Sequence, residues 1–199
     1  MKNRIYFIVL LFVNSFTFGQ NIPENFTFVG NVLADTTDFD NDIFKDVLPP
    51  ILNSKNTIEI RFLIAPDMKV DTLITLYYDG KWNAKKYNLD TNKELTVKIN
   101  DQKQKLAEIF QQLVDNNIFN LPESSSINIA PTHINLETGE ITQELMGVLH
   151  AITYIVQFKV GNQYRLYGFS SPEPYLETHP EIQEFKNYTN IMKVFQTIE

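Results

Sequence analysis

The hydrophobic pattern between residues 151 and 195 predicts two strands followed by a helix. Apolar and polar positions alternate from Ile152 to Val160, and the alternation resumes from Tyr164 to Phe169. Such alternation of β-branched and aromatic residues is typical of half-buried strands. The segment Gly161-Asn162-Gln163 between them contains residues that tolerate a positive φ, so the two strands are predicted to form a hairpin.

The last predicted helix follows a corner at residues 170–174, where two prolines lack the backbone donor that a strand needs. Thr178 is its predicted N-cap, and Glu181, three residues further on, completes a capping box. A mostly apolar stripe then recurs at helical spacing, as expected for a helix that buries one face. The stripe consists of Ile182, Phe185, Thr189, Met192 and Phe195.

The first half of the chain has a similar pattern of hairpins followed by a helix. Alternation predicts four strands in this half. The Asp79-Gly80 pair is typical of a two-residue type I′ turn, and in that register Tyr77 faces Trp82. The predicted strands are Thr57–Ala65, Thr72–Tyr78, Lys81–Leu89 and Glu94–Ile99.

A second amphipathic helix is predicted from Asn100 or Asp101 to about Asn116. Asn116 and Asn117 favour its end, because asparagine tolerates the left-handed conformation. The apolar stripe of this helix consists of Leu106, Ile109, Phe110, Leu113 and Val114.

Residues 122–151 have the weakest pattern. Residues 122–139 predict a long loop, and loops of this length are often functional or mobile. Two interpretations stay open for residues 140–151. Their apolar spacing fits a helix that Gly147 weakens, and the alternative is a short strand paired with His133–Leu136.

Together these elements predict an α+β fold in which antiparallel β-hairpins pack against two main amphipathic helices. Residues 20–199 have a suitable length for a single domain. Within it, residues 57–116 and 152–197 suggest two halves, each a set of hairpins followed by a helix.

The first nineteen residues are predicted to be a secretory signal. Lys2 and Arg4 form a positive region, Ile5–Val13 is apolar, and Thr17-Phe18-Gly19 supplies a cleavage site. The apolar run is short for a transmembrane helix, so we expect no membrane insertion after cleavage. The chain has no cysteine, which excludes a lipid-anchored cysteine, disulfides and thiol catalysis. We therefore expect an exported protein, either periplasmic or secreted.

The net charge restricts the partners that this protein can have. The formal charge is -7, and loss of Lys2 and Arg4 with the signal changes it to -9. A chain this acidic should repel nucleic acid and anionic membranes. An unknown protein or a small molecule is the expected partner.

An acidic run suggests one metal site. Asp38, Asp40, Asp42 and Asp46 have the spacing of a calcium loop. Ile43 stands where such a loop needs glycine, and the twelfth position is proline rather than glutamate. The favoured interpretation is a solvated acidic segment that leads into a short helix, with no cofactor. Calcium binding is the alternative.

The candidate binding residues are aromatic and basic. Tyr164, Arg165, Tyr167 and Tyr175 crowd the predicted hairpin and corner, and tyrosine with arginine is the composition of binding hot spots. The alternative is that these side chains form the buried joint between hairpin and helix. No catalytic residue is predicted.

A hydrolase with a noncontiguous site is one alternative function. Ser124–Ser126, His133 and nearby acids would supply its nucleophile, base and orienting carboxylate. No contiguous catalytic motif supports it. Gly168-Phe169-Ser170-Ser171-Pro172 begins like a nucleophile elbow, but proline replaces the second glycine.

One family resemblance bears on export. The run Tyr164-Arg165-Leu166-Tyr167-Gly168-Phe169, followed by Pro174-Tyr175 and Pro180-Glu181, resembles the C-terminal end of small exported bacterial proteins of unknown function. The resemblance covers about a quarter of the chain. It implies export and an α+β domain, and it transfers no site residues.

The leading functional hypothesis is a non-enzymatic binding or interaction module. It depends on the lack of reaction motifs and on the tyrosine-rich segment. Besides the hydrolase, a third hypothesis is an inhibitor or immunity-type protein whose acidic face blocks a basic partner.

Overall fold

The structure is a computed structural model that describes residues 48–66, 69–89, 95–100, 102–129, 132–143, 148 and 151–198. The predicted signal at residues 1–19 lies outside the described residues. So do the four aspartates of the hypothetical calcium loop, Asp38, Asp40, Asp42 and Asp46.

The described residues form eight strands and three α-helices. Short 3-10 turns occur at Ile51–Asn53 and Ser124–Ser126. The helices are α1 (Lys103–Asp115), α2 (Pro172–Thr178) and α3 (Gln183–Gln196). The strands are β1 (Ile58–Pro66), β2 (Thr72–Tyr78), β3 (Trp82–Leu89), β4 (Leu95–Asn100), β5 (Thr132–Ile134), β6 (Ile141–Gln143), β7 (Ile152–Val160) and β8 (Gln163–Ser170).

Six of the strands make one antiparallel sheet in the order β4-β3-β2-β1-β7-β8. The first four strands form a meander, and β7 returns to pair with β1 on its other side. The two predicted halves of the chain therefore share one continuous sheet. This arrangement confirms the α+β fold class.

One face of the sheet carries the main hydrophobic core. Phe62 of β1 stacks on Phe195 of α3, with ring centroids 4.4 Å apart, and on Tyr154 of β7 at 5.6 Å. Trp82 of β3 packs on Phe110 of α1 at 4.3 Å. Both amphipathic helices thus cover the same face through the stripes that the sequence predicts.

The predicted pairing of Tyr77 with Trp82 is wrong by one residue. Tyr78 lies opposite Trp82, with ring centroids 5.3 Å apart, and Tyr77 lies opposite Asn83. The loop contains Asp79, Gly80 and Lys81 rather than two residues, and Gly80 takes a φ of +95° that suits glycine. Because side chains alternate along a strand, the extra loop residue moves Trp82 into register with Tyr78, on the helix-covered face.

The predicted start of the last helix is also wrong. Residues 172–178 form the separate helix α2, because proline fits the first turn of a helix, where its missing N–H is not needed. The Thr178 hydroxyl donates to the carbonyl of Pro174, so it belongs to the last turn of α2. Ile182 is the N-cap of α3, without a side-chain hydrogen bond.

The ambiguous segment after residue 139 contains a strand. β6 pairs with β5 in a small separate hairpin, with Ile134 opposite Ile141. The Asn135 side chain accepts hydrogen bonds from the backbone of Glu137 and Thr138 and closes the turn. Asparagine in this role is typical of a tight turn.

None of the helices in the described part of the chain is both long enough and apolar enough to span a bilayer.

Candidate functional site

The four predicted binding residues do not form one surface. Tyr164, Arg165 and Tyr167 are buried, and Tyr175 is half-buried. Arg165 lies opposite Phe158 on the helix-covered face, as does Tyr167 two residues later. Tyr164 points to the other face, because successive side chains of a strand alternate.

Arg165 and Tyr167 bind backbone carbonyls of the segment that follows α1. Arg165 Nη1 donates to the carbonyl of Phe119 at 2.7 Å, and Nη2 donates to that of Leu121. The Tyr167 hydroxyl donates to the carbonyl of Ile118 at 2.9 Å. These bonds satisfy carbonyls that would otherwise be buried without a partner.

Tyr188 of α3 extends this group by donating to the carbonyl of Pro122. We call Arg165, Tyr167 and Tyr188 the arginine–tyrosine cluster. The guanidinium lies 5.1 Å from the centre of the Tyr167 ring, a distance at which a cation and an aromatic face attract each other. The cluster joins β8 and α3 to the segment at residues 118–122.

The electrostatics of the cluster match a structural role. Burial raises the pKa of Tyr167 well above its usual value, and burial together with the charge of Glu184 raises the pKa of Tyr188. Burial also lowers the pKa of Arg165 below its usual value. Both phenols therefore stay neutral hydrogen-bond donors at physiological pH, and neither is poised to transfer a proton there.

The opposite face of the sheet carries buried charges. Arg61 Nε donates to Glu59 at 2.7 Å, and Arg61 Nη2 donates to the carbonyl of Pro49 at 2.8 Å. The second carboxylate oxygen of Glu59 accepts from Asn56 Nδ2 at 2.7 Å and from the Ser54 hydroxyl. Both charged side chains lie on β1.

Lys159 of β7 completes this ionic cluster of Glu59, Arg61 and Lys159. It lies opposite Glu59 in the sheet, and its Nζ donates to the carbonyls of Ser54 at 2.7 Å and Asn56 at 3.1 Å. Buried charges need such partners to offset their lost hydration. The cluster therefore binds the segment 48–57 to the sheet, which is a structural role.

The hypothetical hydrolase residues are in or next to local turns. The Ser126 hydroxyl donates to the carbonyl of Glu123 at 2.7 Å, as expected in a 3-10 turn. The backbone of His133 lies in β5. In the described part of the chain, no group of three or more histidine, aspartate or glutamate side chains is placed to hold a metal ion.

The most exposed regular element of the sheet is β4. Residues 96–99 are exposed in succession, so this strand is uncovered on both faces. Val97 is 47% exposed and Ile99 is 70% exposed. No strand among the described residues pairs with the outer side of β4. An uncovered edge with apolar side chains is a template for another strand.

The other edge of the sheet, at β8, is not comparable. Arg165 and Tyr167 of β8 bond to residues 118–122, and the turn at Ser124–Ser126 lies against the strand. Leu136, at the tip of the β5–β6 hairpin, is also exposed, but a single exposed leucine is common on protein surfaces. The β4 edge is thus the better candidate site.

Lysines surround the β4 edge. Between residues 80 and 107 the sequence contains seven lysines and three acids, and six of the lysines lie among the described residues. The register places Lys86 directly opposite Lys98, and Lys85 opposite Ile99. We call this set the basic edge, and its members are Lys81, Lys85, Lys86, Lys98, Lys103 and Lys105.

Sequence reasoning missed this site, although it predicted the strand. The alternation Thr96-Val97-Lys98-Ile99 reads as a half-buried strand. That β4 is the last strand of the sheet follows from strand order, which the local pattern does not contain. The excess of lysines over acids between residues 80 and 107 was the available signal.

Comparison with known proteins assigns no family to this chain. No family model matches the chain, and neither a curated protein nor a solved structure is significantly similar to it.

The arginine–tyrosine cluster predicts a stability defect with a defined pH dependence. Tyr167→Phe removes the donor to Ile118 and leaves a buried carbonyl unpaired, so unfolding at neutral pH should become easier by about 1–3 kcal/mol. Because the folded state raises the pKa of Tyr167, its contribution is complete below about pH 10, the usual tyrosine value, and is lost as pH rises further. Urea unfolding measured at neutral and at alkaline pH should show a shallower alkaline decline for the variant.

Tyr175→Phe is the matched control, because it keeps the ring stacked on Phe185 and changes a half-buried hydroxyl. It should shift the free energy of unfolding by less than about 0.5 kcal/mol. Equal stability of Tyr167→Phe and wild type would show that the hydroxyl does not support the fold.

Proposed function

We propose that this protein is an exported, non-enzymatic binding module that captures an extended segment of another protein along β4. The observation that carries the proposal is an edge strand that is exposed on both faces and has Val97 and Ile99 uncovered. Natural sheets often protect such edges with charges, as Lys98 does here, but the exposed Val97 and Ile99 leave β4 open to a matching strand.

Strand addition explains how this edge would bind. The backbone N–H and C=O groups on the outer side of β4 supply hydrogen bonds to an extended peptide, whatever its side chains are. Val97 and Ile99 lie on the same face and would contact alternate side chains of the added strand. Backbone pairing thus gives affinity, and the two apolar residues give register.

This proposal places the binding surface at β4 rather than at Tyr164, Arg165, Tyr167 and Tyr175. Those side chains are buried or half-buried, and the Arg165 and Tyr167 polar atoms are bonded to protein carbonyls. A partner could reach them only by displacing the segment 118–122. The β4 edge needs no such rearrangement.

A peptide panel tests strand addition. Three labelled peptides of about eight residues, a usual strand length, alternate valine with glutamate, threonine or lysine. At least one should bind saturably in fluorescence anisotropy, and NMR should show the largest amide shifts in residues 95–100. The double variant Val97→Thr plus Ile99→Thr keeps β-propensity but removes apolar contact, so it should weaken binding while leaving folding intact.

Two controls sharpen this experiment. Leu136→Thr changes an exposed leucine away from the sheet edge and should leave binding unchanged. A peptide N-methylated at alternate residues lacks donors on one edge, so one methylation pattern should abolish binding and the other should retain it. Absence of binding by all three peptides, or shifts confined to other residues, would contradict strand addition.

Export is the second part of the proposal, and it rests on the pattern of residues 1–19. Expression of the whole chain in a Gram-negative host should yield a periplasmic or secreted product whose first residue is Gln20. A cytoplasmic product that retains Met1 would contradict export.

A further inference from the structure

We infer that the segment captured at β4 is acidic, with carboxylates alternating with apolar residues. This inference rests on the proposed function and names the chemistry of the partner. Three observations point to it: a like-charged pair across β3 and β4, lysines in the first turn of α1, and the excess of lysines over acids in the sequence around β4.

The first observation is the cross-strand pair Lys86–Lys98. The two residues lie directly opposite each other, and like charges in that position destabilise a sheet. An anionic group placed beside them removes this repulsion. Since Lys98 belongs to the edge strand, the added strand is the element that brings such a group closest.

The second observation concerns the start of α1. Lys103 and Lys105 occupy its first turn, which contains no acidic residue. The N-terminal end of a helix carries a partial positive charge and is stabilised by anions rather than cations. The helix begins three residues after β4 ends. The same anionic partner would therefore stabilise both the Lys86–Lys98 pair and the start of α1.

The third observation is the charge balance of the sequence around β4. Between residues 80 and 107 the sequence contains seven lysines and three acids, Asp90, Glu94 and Asp101. This stretch therefore has a formal charge of +4, on a chain whose net charge is -7.

The faces of β4 define the pattern of the partner. Thr96 and Lys98 point to one face of the sheet, and Val97 and Ile99 point to the other. A strand added in register would contact Lys98 with one set of alternate residues and Ile99 with the other. Carboxylates in the first set would pair with Lys98, and apolar residues in the second set would pack against Ile99.

A second copy of this protein fits the edge less well. Pairing β4 with β4 of another copy would bring two basic edges together, and like charges across an interface oppose association. An acidic segment of a different protein meets the same backbone groups without that repulsion.

The valine–glutamate, valine–threonine and valine–lysine peptides test this inference on the full chain at low salt. The glutamate peptide should bind most tightly and the lysine peptide least, and added salt should reduce this difference. Lys86→Gln plus Lys98→Gln should weaken binding of the glutamate peptide by roughly three- to tenfold, the effect of two exposed ion pairs. The same variant should leave the threonine peptide unchanged.

Lys186→Gln plus Lys193→Gln on α3 is the matched control, since both lysines are exposed and lie outside the basic edge. If the threonine peptide binds at β4 as well as the glutamate peptide, strand addition stands and the inferred acidity is wrong. If no peptide binds, both proposals fail.

Two further outcomes would also overturn the inferred partner. Competition by a short poly-thymidine oligonucleotide as strong as that by the glutamate peptide would show a general anion site. Concentration-dependent dimerisation in analytical ultracentrifugation that Ile99→Thr abolishes would show that a second copy occupies the edge.

Discussion

Burial of β1 on both of its faces is the constraint on which the rest of this structure depends. On one face Phe62 packs between rings of β7 and α3. On the other, Glu59 and Arg61 form a buried ion pair, and Lys159 of β7 donates to the carbonyl of Ser54. Its backbone groups also pair with a neighbouring strand on each side, as buried backbone groups require. β2 and β7 are those neighbours.

The two ends of the sheet follow from this central position and differ in their surroundings. The chain leaves β1 as a meander that ends at β4, whereas it returns through β7 and ends at β8. β8 is held by the arginine–tyrosine cluster to the segment after α1, and most of its side chains are buried or half-buried. β4 has no comparable cover among the described residues, and its exposed Val97 and Ile99 make it the natural place for a partner strand.

Local patterns in the sequence predicted most of the strands and helices, because alternation and helical stripes depend only on residues that are close in sequence. The β7–β8 hairpin and the buried stripe of α3 are examples.

Three features depended on information that such patterns lack. The register at Trp82 was missed because loop length, and not the Asp-Gly pair alone, sets pairing. Helix α2 was missed because its prolines suggest a corner, although they also fit a first turn. For Tyr164 and Tyr167 a binding surface and a buried joint both stayed open, because alternation does not reveal that both faces of the sheet are covered at β8.

Amide hydrogen exchange under native conditions tests the central claim most directly, because it reports how firmly each strand is held. If β1 is the doubly covered centre and β4 is the uncovered edge, amides of residues 58–65 should exchange only through global unfolding. Those of residues 95–100 should exchange fastest in the sheet, through local opening. Protection of β4 equal to that of β1 would contradict the account, since it would mean that the outer side of β4 is already paired.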